Sequence, residues 1–466
     1  MLLSTASAAF LLFSPSPPQA EDSCLSQSYY GSHGTGHLYI TSDNNCAANL
    51  LDVDHSVAGV FNKPASRDTQ LVWLQHQAVE ETLKLQNDEN LLDFLARITV
   101  HDAPVGDQVV MSPRSAAEVV WASAGHALVS VEKDVALTLD QHLPRFWRAS
   151  PLPVEPIPFV PVPSKAVEHV KDILSGIKFD PDVASIVNNI SIAQLRSDIR
   201  YLTGESPASE IVSRHSFSQG AQIAAKWLKA NFESHGATCE LKPFLSGFTP
   251  NVICKYPGTE NTTETVLISA HYDSRGSFGS VRAPGGDDDG SGTIALLGIA
   301  RTIARKGITF RKNVQICAFA GEEQGLYGSR YYAREMYEGG ANLTLMIQAD
   351  MLGYHKPGEP AQLGLPDFIG TPEVAQLVSN LSAIYSPELS VGFTPACCSD
   401  HQSFHNLGFP ATQVFERAGP IADPMYHNSG DLSDREGYDF DQIKSIAKIQ
   451  FATLLHAAGF DLPAAE

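Results

Sequence analysis

Beyond Gly236 the chain alternates between short apolar runs and longer amphipathic ones. TVLISA reads as a strand and is followed by the helical pattern GTIALLGIARTIAR. NVQICAFA is a second strand, followed by the helix GLYGSRYYAREMYE, and LTLMIQA is a third strand. Just upstream, SFSQGAQIAAKWLKANFESHG is an amphipathic helix that ends at Gly236. Helical patterns also cover 165–175 and 192–202. This alternation predicts an α/β domain: a mixed, centrally parallel sheet flanked by helices.

The preceding stretch is patterned differently. Residues 21–149 mix strand-like runs (HALVSVE, DQVVMS) with helix-like ones (NLLDFLARI), an α+β extension with no catalytic constellation. We read it as a prodomain or a permanent accessory domain. Residues 150–165, SPLPVEPIPFVPVPSK, form a Pro-rich linker, because alternating prolines favour extended backbone and remove N–H donors. Residues 166–466 then form the α/β domain. Residues 1–20 read as an export signal: the apolar run to Phe13 is too short to span a bilayer, and Ala20 precedes Glu21 and Asp22. No Lys or Arg precedes that run, which departs from the usual pattern.

Charge narrows the partners. A net charge of -20 without any basic run argues against nucleic acid, whose phosphates are bound by clustered Lys and Arg. No later stretch reaches transmembrane length, so no membrane partner is expected. Glycosylation sequons at Asn189, Asn261, Asn342 and Asn380 point to a secreted chain, with a vacuolar or lysosomal lumen as the alternative. Of seven cysteines, Cys239 and Cys254 flank a hairpin and are expected to bridge. Cys24 with Cys46 is a looser pairing. Cys317 lies in an apolar strand as a buried thiol, and Cys397-Cys398 stays open among a vicinal bridge, two thiols and a bridge elsewhere.

The candidate chemistry follows the strands. TVLISA runs into His271-Tyr272-Asp273, and NVQICAFA into Gly321-Glu322-Glu323. LTLMIQA runs into Asp350, and FPATQVF into a loop carrying His427. Sites on open α/β sheets form beyond the carboxyl ends of strands, so these groups gather at one edge. Imidazole and carboxylate are the donors of catalytic zinc sites.

These blocks have a counterpart. SAHYDS, APGGDDDGSG, FAGEEQGLYGS, IQADMLGY, CSDHQSFHNLGFPA and YHNSGDL resemble the successive blocks of metallopeptidase family 28, the co-catalytic di-zinc group of aminopeptidases Y and S. The resemblance spans about 192–455 and implies a zinc exopeptidase fold. It also implies two Zn²⁺ ions, one on His271 and Asp350, the other on Glu323 and His427, with Asp288 bridging. Glu322 is then the general base, acting on a zinc-held hydroxide, and Asp273 orients His271. A cis peptide is implied between Asp288 and Asp289. Asp289, Ser399, Asp400, His401 and Tyr426 are expected to support the ligands or the substrate; Ser399, Asp400 and His401 are too close in sequence for a hydrolase triad. His355 and His405 are expected to be structural or exposed. Family members with a loop bridge before SDH have two cysteines spaced four apart. Here Thr394 stands at the first position, which leaves the pocket's shape open.

The expected activity is removal of N-terminal residues from peptides. A carboxypeptidase or dipeptidase of the same fold would need a cation for the substrate carboxylate, for which Arg417 and Arg275 are the candidates. A glutaminyl cyclase shares the fold, and an inactive binding module is the non-enzyme alternative.

Overall fold

The computed structural model describes residues 8–18, 24–50, 57–62, 68–86, 90–100, 114–115, 117–396 and 398–464. Chain contacts divide it into two units, Met1–Gln77 with Glu81–Phe159, and Ala78–Glu80 with Val160–Glu466. The main division falls inside the Pro-rich segment.

The first unit contains two four-stranded antiparallel sheets. In one, Ala8–Ser14 is an interior strand between Gly36–Thr41 and Val57–Asn62, with Tyr29–His33 at the edge. In the other, Thr69–His76 and His126–Glu132 are interior. Ala8–Ser14, the described part of the apolar run that reads as an export signal, is thus a mostly buried, doubly paired strand in this structure. A seven-residue apolar run closed by prolines satisfies both descriptions, and periodicity cannot separate them. NLLDFLARI gives the short helix Leu91–Leu95, capped by Asn90. DQVVMS lies outside the described residues.

The second unit opens with α1 (Ser164–Gly176), α2 (Pro181–Val187), α3 (Ile192–Leu202) and α4 (Gln219–Ser234). Asp180, Ser191 and Ser218 start the last three by accepting first-turn N–H groups. There follow β1 (Thr238–Lys242), β2 (Asn251–Tyr256), β3 (Thr265–His271), α5 (Gly290–Lys306), β4 (Asn313–Phe319), α6 (Tyr327–Glu338) and β5 (Leu343–Ala349). The chain continues through β6 (Gln362–Pro366), α7 (Pro372–Tyr385), β7 (Ser390–Thr394), α8 (His401–His405), β8 (Ala411–Val414) and α9 (Phe440–Ala458).

Six strands form one sheet in the order β1-β2-β4-β3-β5-β8. β4, β3, β5 and β8 are mutually parallel, and β1 and β2 add antiparallel pairs at one edge. The central strands read as unbroken apolar runs because both faces are covered. Along β3, Val266, Ile268 and Ala270 join the core that α5 and α9 cover. Leu267 points the other way, to Phe319, Tyr332 and Phe404. Cys239 and Cys254 are cross-strand partners on β1 and β2 and form a disulfide, as do Cys24 and Cys46. Cys317 is a buried free thiol, and Cys397 lies outside the described residues.

Candidate metal centre

The parallel order sets the carboxyl ends of β4, β3, β5 and β8 side by side. His271 is the last residue of β3, Glu322 and Glu323 follow β4, Asp350 follows β5, and the chain after β8 returns through His427. α5 starts between them, its first turn capped by Asp289. Gly292 is required there: a Cβ would come within 2.5 Å of the Asp289 carboxylate and 2.7 Å of the Ala349 carbonyl oxygen.

Asp288 stands between the two imidazoles. Its Oδ1 lies 3.3 Å from His271 Nε2 and its Oδ2 lies 3.3 Å from His427 Nε2. On the first side, Asp350 Oδ1 is 3.7 Å from His271 Nε2; on the second, Glu323 Oε2 is 3.0 Å from His427 Nε2. Donor atoms of His271, Asp289 and Asp350 lie within 4.8 Å of one another, as do those of Asp288, Glu323 and His427. Asp289, however, is spent on backbone: its carboxylate accepts the N–H of Gly292, Met351 and His271. The peptide between Asp288 and Asp289 is cis. Met351 and His427 both hold left-handed backbone, which non-glycine residues rarely adopt away from functional sites.

Asp273 serves two groups. Its backbone carbonyl lies 3.2 Å from His271 Nδ1 and its carboxylate 3.5 Å away, so a proton on Nδ1 leaves Nε2 as the donor. The same carboxylate accepts the N–H of Glu322 and of Glu323, at 3.3 and 3.2 Å. That second task is one the sequence does not announce. Glu322 is buried, with Oε2 4.0 Å from His271 Nε2.

The charges of these groups favour cations. Burial works against ionised His271, but Glu322, Asp273, Asp288 and Asp350 outweigh it and lift its pKa well above the ordinary value. Burial also penalises the Asp288 carboxylate, yet both imidazoles hold it below the usual range. His271 Nε2 and Glu323 Oε1 are buried without a hydrogen-bond partner among the described residues. An orphaned donor set of this kind, buried and net acidic, fits bound cations.

A polar network behind the site fixes the Asp288 turn. Asp431 accepts the N–H of Asp287 and of Asp288 at 3.0–3.1 Å, and is itself held by Arg435, which forks onto Asp423. Asp287 accepts the N–H of Gly353, and Glu416 that of Tyr354, which secures the loop after Asp350. Arg214, wholly buried, donates to the carbonyls of Tyr272, Leu202, Pro284 and Gly285. Asp431 sits inside the block YHNSGDL, so its position was visible although its task was not.

The remaining candidates divide. Asp400 is buried and accepts from Gln348, one residue before Ala349 on β5; burial pushes its pKa up to about 7. His401 meets the Ile369 carbonyl, and Ser399 is buried beside Asp400. Tyr426 stacks on His427 with ring centroids 3.8 Å apart. Arg417 forks onto Glu359 and also pairs with Glu80, and Arg275 lies 3.1 Å from His427 Nδ1. His355 pairs with Asp439.

Comparison with known proteins agrees with this architecture. The model of peptidase family M28 matches residues 251–454. A protein of Arthroderma otae described as "Probable leucine aminopeptidase" is 31% identical over 283 residues, 57% of this chain and 72% of that protein. Leucine aminopeptidase 1 of Sclerotinia sclerotiorum is 33% identical over 203 residues, 41% of this chain and 51% of that protein. In structure, the LapA aminopeptidase of Legionella pneumophila matches with a TM-score of 0.61 at 18% identity, over 84% of this chain and 99% of that one. The matched span contains His271, Asp288, Glu322, Glu323, Asp350 and His427, which gather beyond the carboxyl ends of neighbouring strands, and the chain belongs to peptidase family M28.

Proposed function

We propose that this protein is a secreted di-zinc aminopeptidase. The observation that carries the reading is Asp288, whose two oxygens each face one imidazole, each imidazole having its own carboxylate. His271 and Asp350 would hold one ion, Glu323 and His427 the other, with Asp288 shared. Nitrogen and carboxylate donors suit zinc better than magnesium or calcium. Bound zinc supplies Lewis acidity, acidifying a water and polarising a carbonyl oxygen.

The chain's own groups do the rest. Glu322, tied at its N–H to Asp273, takes the proton from the attacking water and passes it to the leaving amine. Asp273 keeps His271 in the tautomer that presents Nε2. Asp289, Asp400 and Tyr426 hold the backbone, strand end and imidazole that present the ligands; Ser399 and His401 flank them. The surplus of carboxylates favours a substrate bearing a free α-ammonium.

The state of Arg417 removes one of the two candidate cations for a carboxypeptidase. Its guanidinium is already committed to Glu359 and Glu80, leaving no fork for a substrate carboxylate. The disulfides Cys24–Cys46 and Cys239–Cys254 support export, and the four sequon asparagines are all exposed and open to glycosylation. Among the described residues no helix is long and apolar enough to cross a membrane.

The test is a panel of aminoacyl arylamides and their N-acetylated forms on the zinc-loaded chain, with and without the N-terminal unit. Cleavage restricted to free N-termini supports the proposal; equal cleavage of blocked substrates overturns it. Cyclisation of a glutamine-initiated peptide without hydrolysis would assign a cyclase instead. N-terminal sequencing of the secreted chain decides whether Ala8–Ser14 is removed with a leader or retained as a strand.

A further inference from the structure

Three residues of the N-terminal stretch, Ala78–Glu80, belong to the second unit. Their backbone pairs in parallel with the loop after β8. Ile421 donates its N–H to the Ala78 carbonyl and Glu80 donates its N–H to the Ile421 carbonyl, both at 2.8 Å. Val79, opposite Ile421, is buried. One carboxylate oxygen of Glu80 takes Lys356 at 2.6 Å and Arg417 at 2.8 Å. Lys356 stands on the loop after β5 and Arg417 on the loop after β8. Glu80 thus ties the loop that begins at Asp350 to the loop that leads to His427.

This contact is continuous with the support of Asp288. Ile421 lies two residues before Asp423, which is wholly buried and accepts both arms of Arg435. Arg435 also donates to Asp431, whose carboxylate takes the N–H of Asp287 and of Asp288. On the same loop Glu416 accepts the N–H of Tyr354, just past Asp350. Withdrawal of Ala78–Glu80 would leave the N–H and the carbonyl of buried Ile421 without partners, and the loop would have to rearrange to satisfy them.

We propose that Ala78–Glu80 is a positioning element of the metal centre. It braces the loop from Arg417 to Asp423 and so holds Arg435, Asp431 and the turn that aims Asp288. The N-terminal stretch is then a permanent part of the enzyme and not a removable prodomain.

Chelator competition on the full chain measures zinc affinity, and amide hydrogen exchange of fragments covering 417–427 reports on the loop. Glu80→Pro removes the donor N–H and the carboxylate just ahead of the helix Glu81–Leu85, where proline is tolerated. Val79→Asp sets a charge at a buried position and should expel the segment. Each variant is expected to speed exchange in the loop and to weaken zinc roughly three- to tenfold, within the range for residues along a supporting network. Saturating zinc should restore the arylamide kcat with KM unchanged. Unchanged zinc affinity overturns the proposal whether or not exchange rises, since a segment that only stabilises the fold lowers the melting temperature alone. Circular dichroism checks the fold; should Val79→Asp fail to fold, Glu80→Pro decides. The inference rests on the di-zinc reading. A natural chain that binds no zinc would overturn that reading and this inference with it, whereas equal affinity in the natural chain and the variants overturns this inference alone.

Discussion

The carboxylate of Asp431 accepts the backbone N–H of Asp288 at 3.1 Å. Because it also takes the N–H of Asp287, it sets the turn that aims both oxygens of Asp288 at the two imidazoles. Asp431→Asn keeps the shape but replaces one acceptor with an amide NH₂ that faces backbone donors. Loss of a group that orients a ligand typically costs about 10–100-fold in metal affinity or activity. The variant is expected to bind zinc that much more weakly while keeping its secondary structure. Competition with a chelator of known affinity measures this.

Glu322→Gln separates proton transfer from metal binding. The substitution is isosteric and leaves the N–H bond to Asp273 in place. Arylamide turnover is expected to fall by ~10²–10⁴, the usual contribution of a positioned base, with the zinc content unchanged. Metal analysis beside the kinetics checks both halves; loss of zinc would assign Glu322 to ligation instead.

Arg417 donates two bonds to Glu359, at 2.8 and 2.7 Å, and holds its pKa at about 2 against an ordinary value of 4.5. A depressed carboxylate stabilises the fold fully above its unfolded pKa. That contribution is lost as the pH falls from about 4.5 towards 2. The melting temperature of Glu359→Gln should therefore lie below that of the natural chain at neutral pH. The gap should close through this window. Thermal melts between pH 7 and pH 2 measure it.

The disulfide between Cys239 and Cys254 closes a loop with a sequence separation of 15. Constraint of the unfolded chain predicts about 3 kcal/mol of stabilisation for a loop of that size. The Cys239→Ser, Cys254→Ser double variant should unfold at correspondingly lower urea. In reductant, which also opens Cys24–Cys46, the natural chain and the variant should unfold at the same urea concentration.

The strand–helix alternation was readable because each central strand is a continuous apolar run. LTLMIQA is β5 residue for residue, and NVQICAFA yields β4 with its last alanine outside the strand. The chemistry was readable because it stands where those runs stop, as Asp350 does after Ala349. What stayed hidden is made of long-range acceptors. Nothing near Asp431 in sequence tells that it serves the N–H of Asp288, and nothing near Glu80 predicts its pairing with Arg417. Ala8–Ser14 is unreadable for the opposite reason, since its local pattern fits a leader and an interior strand equally well.

The strand order β4-β3-β5-β8 also governs when the protein becomes active during folding. Apart from His271 and Asp288, which share one strand–helix unit, the donor pairs join segments far apart in the chain, through parallel pairings that form slowly because loop closure comes first. A hairpin or a single βα unit can display only one or two of the donors. Cation capture must therefore wait until the whole sheet is assembled, and recovery of metal binding after refolding should track the slowest of these pairings.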